Sequence, residues 1–293
     1  MNSCAIVLNY RNAERTEACL RSLVGQGIGA VLVVDNSADV RAAGELGAAI
    51  QRLQENLADF DLHVLTPAGN LGFARGVNAA LEDERAKAYD IFLLINNDAT
   101  AAPGMAGKLK AAMGDHHAAI ALPSVRSADG LPQPTLWYQR YSGLMTAQPL
   151  PGSFMFPSGC CLMFGTASLT AGKLFDEDFF MYGEDVLLGW QLMHMGKAAY
   201  QVGEAVVYHA GSASSGKNGL FYEYHTARAH ILLALKTWHY RLEIPLLLMA
   251  KSSGMLLRAV WRSLRWRSAT PVLAFLLAWL PLNIRPDHGK RPD

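Results

Sequence analysis

The sequence predicts an α/β protein built on a doubly wound, mostly parallel sheet. Four short runs rich in Val, Ile and Leu are typical of buried parallel strands, and segments with helical spacing lie between them. Strands that alternate with helices indicate βαβ units, in which ligands bind beyond the carboxyl ends of the strands. The predicted strands are 4–8, 30–34, 62–65 and 91–95, and the predicted helices are 13–24, 40–56 and 74–88.

The second half of the chain predicts an irregular region followed by further strands and helices. The segment 122–156 is rich in proline and glycine, which favours a loop over the site. Strand-like residues resume at 159–164 and 198–209, with a helix at about 185–195 between them, and a long helix is expected at 221–238. The site is therefore expected between the parallel sheet and this second half.

Composition excludes several classes of protein. The chain has 293 residues with 26 basic and 25 acidic side chains, a balance that gives no electrostatic case for nucleic acid. The four cysteines show no metal-ligand spacing, which favours a reducing compartment. The start of the chain lacks a signal-peptide pattern, and the longest apolar run, 271–282, is shorter than the ~20 residues of a spanning helix. These features predict a cytoplasmic protein.

The C-terminal segment differs in charge from the rest. From Ile244 to Pro286 there is no Asp or Glu, and tryptophans and leucines accompany the basic residues. Basic amphipathic helices with interfacial aromatic residues tend to lie in a lipid headgroup layer. We therefore expect residues 241–293 to form amphipathic helices that hold the protein on an anionic membrane surface at the inner face of the cell membrane. A helix pair packed on the preceding domain is the alternative.

An acidic pair ends the aromatic run FDEDFFMYGED, residues 175–185. An ionised carboxylate beside an apolar wall loses solvation, so its pKa rises unless hydrogen bonds or a cation offset the cost. Proteins make a general base in this way, and Glu184 and Asp185 are candidates. The alternative is a helix N-terminus, where acidic residues are favoured by the helix dipole.

Polar or glycine-rich residues follow each of the four predicted strands. Asp35 closes the run VLVVD and suits hydrogen bonds from a base or a ribose, although an Asx turn is the more usual reading. The glycines of GNLGFARG, residues 69–76, allow the backbone to approach a phosphate, but their spacing is not the dinucleotide-binding one. A plain strand-to-helix turn is the alternative there.

Oxygen ligands for a divalent ion follow the fourth strand. Asn96 and Asp98 place two side-chain oxygens after an apolar run, a pattern suited to Mg²⁺ or Mn²⁺ carrying a diphosphate. One carboxylate makes a thin metal site, so a further ligand is needed. His209, at the end of the run AVVYH, is the candidate, although a lone histidine at a strand end is more often structural.

Seven segments in order carry a family resemblance. They are IVLNYRN, VVDNS, NLGFARGVNAAL, LLINNDA, SGCCLMF, FDEDFFMYGED and VVYHAGSAS. The chain resembles the inverting family 2 glycosyltransferases with the GT-A fold, in particular their rhamnosyltransferase-like branch. It departs from their usual pattern at Leu187 and Gln191, where relatives place an acid and an arginine, and at neutral Asn96.

The resemblance implies a fold, a division and roles for single residues. Residues 1–240 would form the GT-A domain, with a nucleotide-sugar half, 1–98, and an acceptor half, 99–240. Asp185 would be the general base and Glu184 would orient the acceptor. The metal, Mn²⁺ or Mg²⁺, would be held by Asp98, His209 and Asn96. The residues implied to bind the nucleotide sugar are Asn9, Tyr10, Asp35, Asn70, Gly72, Phe73, Asn78 and Asn97.

The implied function is metal-dependent, inverting sugar transfer in cell-surface polysaccharide assembly. Rhamnose from dTDP-rhamnose is the first expectation for the donor, and a saccharide or lipid-linked molecule is the expected acceptor. Transfer of a UDP-linked hexose or of galactofuranose is the alternative reaction. A non-catalytic nucleotide-sugar-binding scaffold at the membrane is the alternative of another class, and a homo-oligomer is left open.

Overall fold

A central eight-stranded sheet organises the protein. The structure, a computed structural model, describes residues 2–56, 61–115, 118–211, 219–282 and 284. The strands are β1 (Ser3–Asn9), β2 (Ala30–Asp35), β3 (Leu62–Leu65), β4 (Ile91–Asn96), β5 (Ala99–Ala101), β6 (Ile120–Ser127), β7 (Trp137–Gln139), β8 (Met145–Thr146), β9 (Ser153–Met155), β10 (Cys161–Gly165) and β11 (Ala199–His209). The strand order of the central sheet is β3-β2-β1-β4-β10-β6-β11-β5, and a separate three-stranded sheet has the order β8-β7-β9.

The first four strands of this order are parallel. β1 pairs with β2 on one side and β4 on the other, with Asn9 opposite Asp35 and Leu8 opposite Asn96. The apolar side chains of β1, β2 and β4 are almost all buried on both faces, which explains their continuous apolar runs, whereas Val64 of the edge strand β3 is 37% exposed. The carboxyl ends of β1, β2 and β4 therefore meet at one edge of the sheet.

Helices cover both faces of the sheet, as a doubly wound arrangement requires. They are α1 (Ala13–Leu23), α2 (Val40–Asn56), α3 (Gly72–Glu82), α4 (Met105–Asp115), α5 (Glu184–His194), α6 (Leu220–Lys236), α7 (Ile244–Trp266) and α8 (Thr270–Leu277). Side chains of α1, α2 and α4 belong to the apolar cluster on one face, and those of α3 and α5 belong to the cluster on the other. The predicted doubly wound α/β sheet is confirmed.

Three elements differ from the sequence prediction. The third helix ends at Glu82, because Asp83 turns to an extended backbone, and only a 3-10 turn forms at Ala86–Ala88. The segment 122–156 is not simply irregular: β6 continues to Ser127, and β7, β8 and β9 form an antiparallel sheet. The short strand β5 was not predicted and pairs antiparallel with β11.

The C-terminal helices α6, α7 and α8 pack on one another in a layer beside the sheet domain. The helical stretch Arg241–Trp266 is long and apolar enough to cross a membrane by length and composition alone, and an 18-residue window within it has a mean hydropathy of 1.2. The expectation that no segment reaches spanning length is therefore corrected. Charged residues interrupt this stretch, so no continuous apolar run reveals it in the sequence.

Candidate active site

A cavity of ≈ 280 Å³ lies at the carboxyl edge of the parallel strands. The loop before α5, the end of β11 and the start of α6 complete its wall. Its lining includes eleven of the thirteen predicted site residues. These are Asn9, Tyr10, Asn70, Gly72, Phe73, Asn96, Asn97, Asp98, Glu184, Asp185 and His209.

A strained turn positions the acidic pair at the start of α5. Tyr182 and Gly183 both have left-handed backbones, with φ of 67° and 88°. A Cβ on Gly183 would lie 2.9 Å from the Cβ of Ala229 and 3.0 Å from the ring of Phe179, so only glycine fits. Left-handed backbone at a residue other than glycine persists where the surrounding packing enforces it, and it is frequent at functional sites.

The two carboxylates of the pair have different environments. Glu184 is 6% exposed, and among the described residues its Oε2 has no hydrogen-bond partner. Asp185 reaches the cavity surface, and its Oδ1 and Oδ2 accept the backbone N–H groups of Val186 at 2.8 Å and Gly159 at 3.4 Å. Both carboxylates lie at a helix N-terminus, but only Asp185 accepts backbone N–H groups of other residues there, whereas Glu184 has its own N–H as a backbone donor.

Burial raises the pKa of both carboxyl groups. The pKa of Glu184 rises to about 8, chiefly through desolvation and then through the charge of Asp185. Desolvation also raises the pKa of Asp185, to about 6, against the backbone N–H groups of Gly159, Val186 and Asp185 itself, which lower it. Near neutral pH Glu184 therefore keeps its proton while Asp185 is ionised. A partly exposed carboxylate with a raised pKa is suited to accept a proton.

An acid and an imidazole face each other in the same cavity. The Nε2 of His209 lies 3.2 Å from the Oδ1 of Asp98, and both side chains are mostly buried. Two features of the backbone bring them together: His209 pairs with Ala99 across the β11–β5 ladder, and Ala210 donates its N–H to the Asp98 carbonyl at 3.0 Å. Asn96 and Asn97 line the cavity beside this pair.

The end of β1 brings Asn9 and Tyr10 to the cavity, whereas Asp35 lies behind its wall. The Asp35 carboxylate accepts the amide of Asn9 at 2.9 Å and the backbone N–H of Ser37 at 3.1 Å, which forms the Asx turn. Asn36, the next residue, lines the cavity instead. Asp35 therefore holds the β1 and β2 ends together, and its predicted contact with the base would require a different arrangement of this turn.

The turn before α3 lies close to the backbone of the acidic segment, and its glycine makes this close approach possible. Gly72 has a φ of 76°, and a Cβ there would lie 2.3 Å from the Phe180 carbonyl oxygen. The Oδ1 of Asn70 accepts the Gly72 N–H at 2.9 Å, and Phe73 donates its N–H to Phe180 at 2.7 Å. The turn is thus fixed against the loop that carries the acidic pair.

Asn78 does not border the cavity. Its amide donates to the Phe175 carbonyl at 2.8 Å, and its Oδ1 accepts the N–H groups of Leu174 and Phe175 at 3.1 and 3.3 Å. The side chain is buried, so these bonds leave it no access to a nucleotide. The predicted role of Asn78 is corrected: it clamps the start of the acidic segment to α3.

A second cavity of ≈ 420 Å³ lies on the other side of the acidic pair. Ser158, Tyr182, Glu184 and Asp185 line both cavities, so the pair stands in the wall between them. The segment 133–136, within the region predicted as a loop over the site, forms part of the second wall. The arrangement can hold one molecule on each side of Asp185.

Several lining residues escaped the sequence prediction. Arg15 and Asn12 come from the start of α1, Phe221 comes from the start of α6, and Phe180 comes from the acidic segment. The position of Arg15 one turn into a helix that follows β1 was a usable signal, because the amino ends of such helices face the carboxyl edge of the sheet. Phe221 lies outside every motif, and the packing of α6 brings it to the cavity.

This sheet, in which parallel strands form the nucleotide half and β10 runs antiparallel between β4 and β6, has the topology of the GT-A fold of sugar transferases. The family model described as "Glycosyl transferase family 2" matches residues 4–170, more than half of the chain, and the chain belongs to that family. The match ends before the acidic pair and His209. No curated protein matches the sequence.

Solved glycosyltransferases share the fold. A mannosyltransferase from Pyrobaculum calidifontis, in complex with GDP-Man and Mn²⁺, is 18% identical with a TM-score of 0.59, covering 95% of this chain and 86% of its own. GalNAc-T7 with UDP, GalNAc and Mn²⁺ is 11% identical with a TM-score of 0.59, covering 78% and 47%. Residues 1–349 of S. aureus TarS with UDP-GlcNAc are 15% identical with a TM-score of 0.53, covering 95% and 90%. At these identities the likeness concerns the fold.

Proposed function

We propose that this protein transfers a sugar from a nucleoside diphosphate donor to an acceptor hydroxyl with inversion of configuration. The observation that carries the proposal is the position of Asp185, a carboxylate of raised pKa in the wall between two cavities. The cavity at the parallel strands would take the donor, and the cavity beside residues 133–136 would take the acceptor. A single displacement needs its base at such a boundary.

In the proposed reaction Asp185 takes the proton of the acceptor hydroxyl as that oxygen attacks the anomeric carbon. The bond from the anomeric carbon to the diphosphate oxygen breaks, and the nucleoside diphosphate leaves with the electron pair. Glu184, protonated and buried, supplies a neutral wall that orients the acceptor and adds no second charge beside the base. General-base catalysis of this kind typically contributes about 10² to 10⁴ in rate.

The residues at Asp98 and His209 fit a divalent cation. Carboxylate oxygen and imidazole nitrogen are ligands that Mn²⁺ accepts, and the two atoms are 3.2 Å apart beside the donor cavity. Among the described residues no group of three or more His, Cys, Asp and Glu is found, so diphosphate oxygens and water would complete the coordination. Asn96 is the third residue that we propose near the ion. The bound ion, Mn²⁺ or Mg²⁺, would neutralise charge on the leaving diphosphate.

The donor is proposed from the resemblance of the motifs, and a panel of nucleotides tests it directly. We propose dTDP-rhamnose first and a UDP-linked hexose or galactofuranose second. The GDP-Man and UDP-GlcNAc bound by the similar structures widen the panel to be tested. A saccharide or lipid-linked acceptor in cell-surface polysaccharide assembly, at the cytoplasmic face of the membrane, completes the proposal.

Thermal unfolding with dTDP, UDP and GDP, each with and without Mn²⁺, tests the donor site. A ligand at 100 times its dissociation constant adds about 2.7 kcal/mol to the free energy of unfolding. We expect one nucleotide to stabilise the wild-type chain in the presence of Mn²⁺, and we expect Asp98→Ala to abolish this shift. Asp61→Ala, which changes an exposed aspartate paired with His63 at the start of β3, is the matched control and should keep it.

Two results would contradict the donor site. One is the absence of a shift with every nucleotide, and the other is an equal shift in wild type and Asp98→Ala. A shift that persists while no sugar is ever transferred would instead favour the nucleotide-sugar-binding scaffold. Donor binding and turnover therefore separate the two classes of function.

A further inference from the structure

Helix α7 has its apolar side chains on both faces, and the outward face is the more apolar one. Its inward face repeats every four residues through Leu247, Lys251, Met255 and Ala259, all buried. Leu257 and Leu264 on the outward face are 72% and 74% exposed. The other large apolar side chains exposed on this stretch are Leu242, Leu246, Met249, Leu256, Val260 and Trp261. A helix that faces water normally carries polar residues on its outward face.

Helix α8 and the residues after it extend this surface. Leu273, Leu276, Trp279, Leu280 and Leu282 are each between 41% and 59% exposed. The helices α7 and α8 pack against each other, and we call their exposed apolar side chains together the α7–α8 face. Large exposed apolar surfaces mark protein or membrane interaction sites.

Three cations of α7, Lys251, Arg258 and Arg262, point toward the protein. Arg258 and Arg262 donate to the buried Glu223 of α6 at 2.8 and 2.7 Å. Lys251 is 1% exposed and lies 5.2 Å from the ring centroid of Tyr138. The cations are thus used inside the domain, while the leucines face outward, the reverse of an ordinary surface helix.

The rim of the α7–α8 face is basic. Arg241, Arg265 and Arg267 are exposed at the two ends of α7, and no acidic residue occurs between Ile244 and Pro286. The guanidinium of Arg265 lies 5.6 Å from the ring centroid of Trp261. Arginine and tryptophan at the edge of an apolar surface are suited to anionic headgroups and to the membrane interface.

We propose that the α7–α8 face binds an anionic lipid bilayer, with both helices lying in the plane of its headgroup layer. A spanning position for α7 would break the pairs of Arg258 and Arg262 with Glu223 and would bring Lys251 into hydrocarbon, where a lysine is unfavourable. The in-plane position keeps these contacts and covers only the leucines that now face outward. This proposal goes beyond the transfer reaction and does not depend on it.

The α7–α8 face lies one helix away from the candidate active site. Tyr222 of α6 contacts Tyr182 beside the acidic pair, with ring centroids 5.5 Å apart, and Arg262 lies 5.7 Å from the same Tyr222 ring. Phe221, the neighbour of Tyr222, lines the donor cavity. The protein therefore holds its cleft beside the bilayer, where an acceptor carried on a lipid moves in the plane of the membrane.

Co-sedimentation of the full chain with phosphatidylcholine vesicles, with and without phosphatidylglycerol, tests the proposal. We expect Leu257→Glu/Leu264→Glu to lower the partition coefficient by at least about tenfold, because two exposed leucines contribute apolar area to binding. Val40→Glu, a change at a 93% exposed valine on α2, is the matched control and should bind as wild type does. Arg265→Gln/Arg267→Gln should weaken binding only to the vesicles that contain phosphatidylglycerol.

Tryptophan quenching gives a second readout. Brominated lipids should quench the emission of Trp261 and Trp279, and Trp261→Phe should remove part of that signal. Unchanged vesicle binding of the double glutamate variant, with a wild-type melting temperature, would overturn the proposal. A second contradicting result would be a wild-type dimer that the double glutamate variant dissociates without any change in vesicle binding. The α7–α8 face would then bind a second copy of the chain. Retention in membranes after high-salt and alkaline washing would indicate a spanning helix and would also overturn it.

Discussion

Replacing Glu184 by glutamine should stabilise the protein at neutral and alkaline pH. The carboxyl is 6% exposed, and its Oε2 has no hydrogen-bond partner among the described residues. Burial raises the pKa of Glu184 from 4.5 to about 8. Below pH 4 the folded and unfolded chains both hold the proton. As the pH rises the unfolded chain releases it and the folded chain keeps it, so the free energy of unfolding falls until the folded pKa is reached.

Each pH unit in this window costs about 1.36 kcal/mol, so the cost at pH 7 is on the order of 3 kcal/mol. Glutamine cannot ionise and has nearly the same shape, so Glu184→Gln removes the cost. We expect the variant to unfold at higher denaturant concentration than wild type at pH 8, with the difference shrinking toward pH 5.

Urea denaturation of both proteins at pH 5, 6, 7 and 8 measures this difference. Glu177→Gln is the matched control: Lys173 and Asn78 hold the pKa of Glu177 below its usual range, so its replacement should give no gain at pH 8. A Glu184→Gln variant that is equally or less stable than wild type at every pH would refute the reasoning. It would mean that Glu184 is ionised in the folded protein and paired there.

Three further changes should have distinct effects. The rate of sugar transfer should fall below about pH 6, because Asp185 must be ionised and its pKa is raised to about 6. A rate that falls only near pH 4 would contradict this. Glu184→Gln should leave the fall near pH 6 in place, because the Glu184 carboxyl is already neutral at that pH. Gly183→Ala should destabilise the chain by about 1–3 kcal/mol in urea unfolding, and by more than Gly196→Ala, which has a φ of 64° but open space around its Cβ. Asn78→Ala should cost about 1–3 kcal/mol for the buried groups it leaves unpaired; an unchanged midpoint would show that the clamp is dispensable.

The parallel strands β1, β2 and β4 could be predicted because they are buried on both faces. The runs at 4–8, 30–34, 62–65 and 91–95 contain almost only apolar residues, and each became a strand with bounds that differ by two residues at most. The strands β5 and β7–β9 were not predicted, because they are two or three residues long and depend on pairing with distant partners. Short strands carry no periodicity of their own.

The chemistry of the site could be predicted in type but not in full detail. Asp98, Asp185 and His209 do meet around one cavity. Asp98 and His209 follow or close the strands β4 and β11, whereas Asp185 comes to the cavity at the start of α5. Asp35 and Asn78 are of the same types as the aspartates and asparagines that line the cavity, but local hydrogen bonds occupy their side chains. Those hydrogen bonds depend on the exact course of the backbone. The sequence does not distinguish a polar group that faces a ligand from one that closes a turn.

The most direct measurement is the release of nucleoside diphosphate from the best-binding sugar donor, by wild type and by Asp185→Asn, with an acceptor present. We predict that the variant binds the donor as wild type does in thermal unfolding and loses about 10² to 10⁴ in the rate of transfer. Equal rates for the two proteins, at equal donor binding, would contradict Asp185 as the base and with it the central claim.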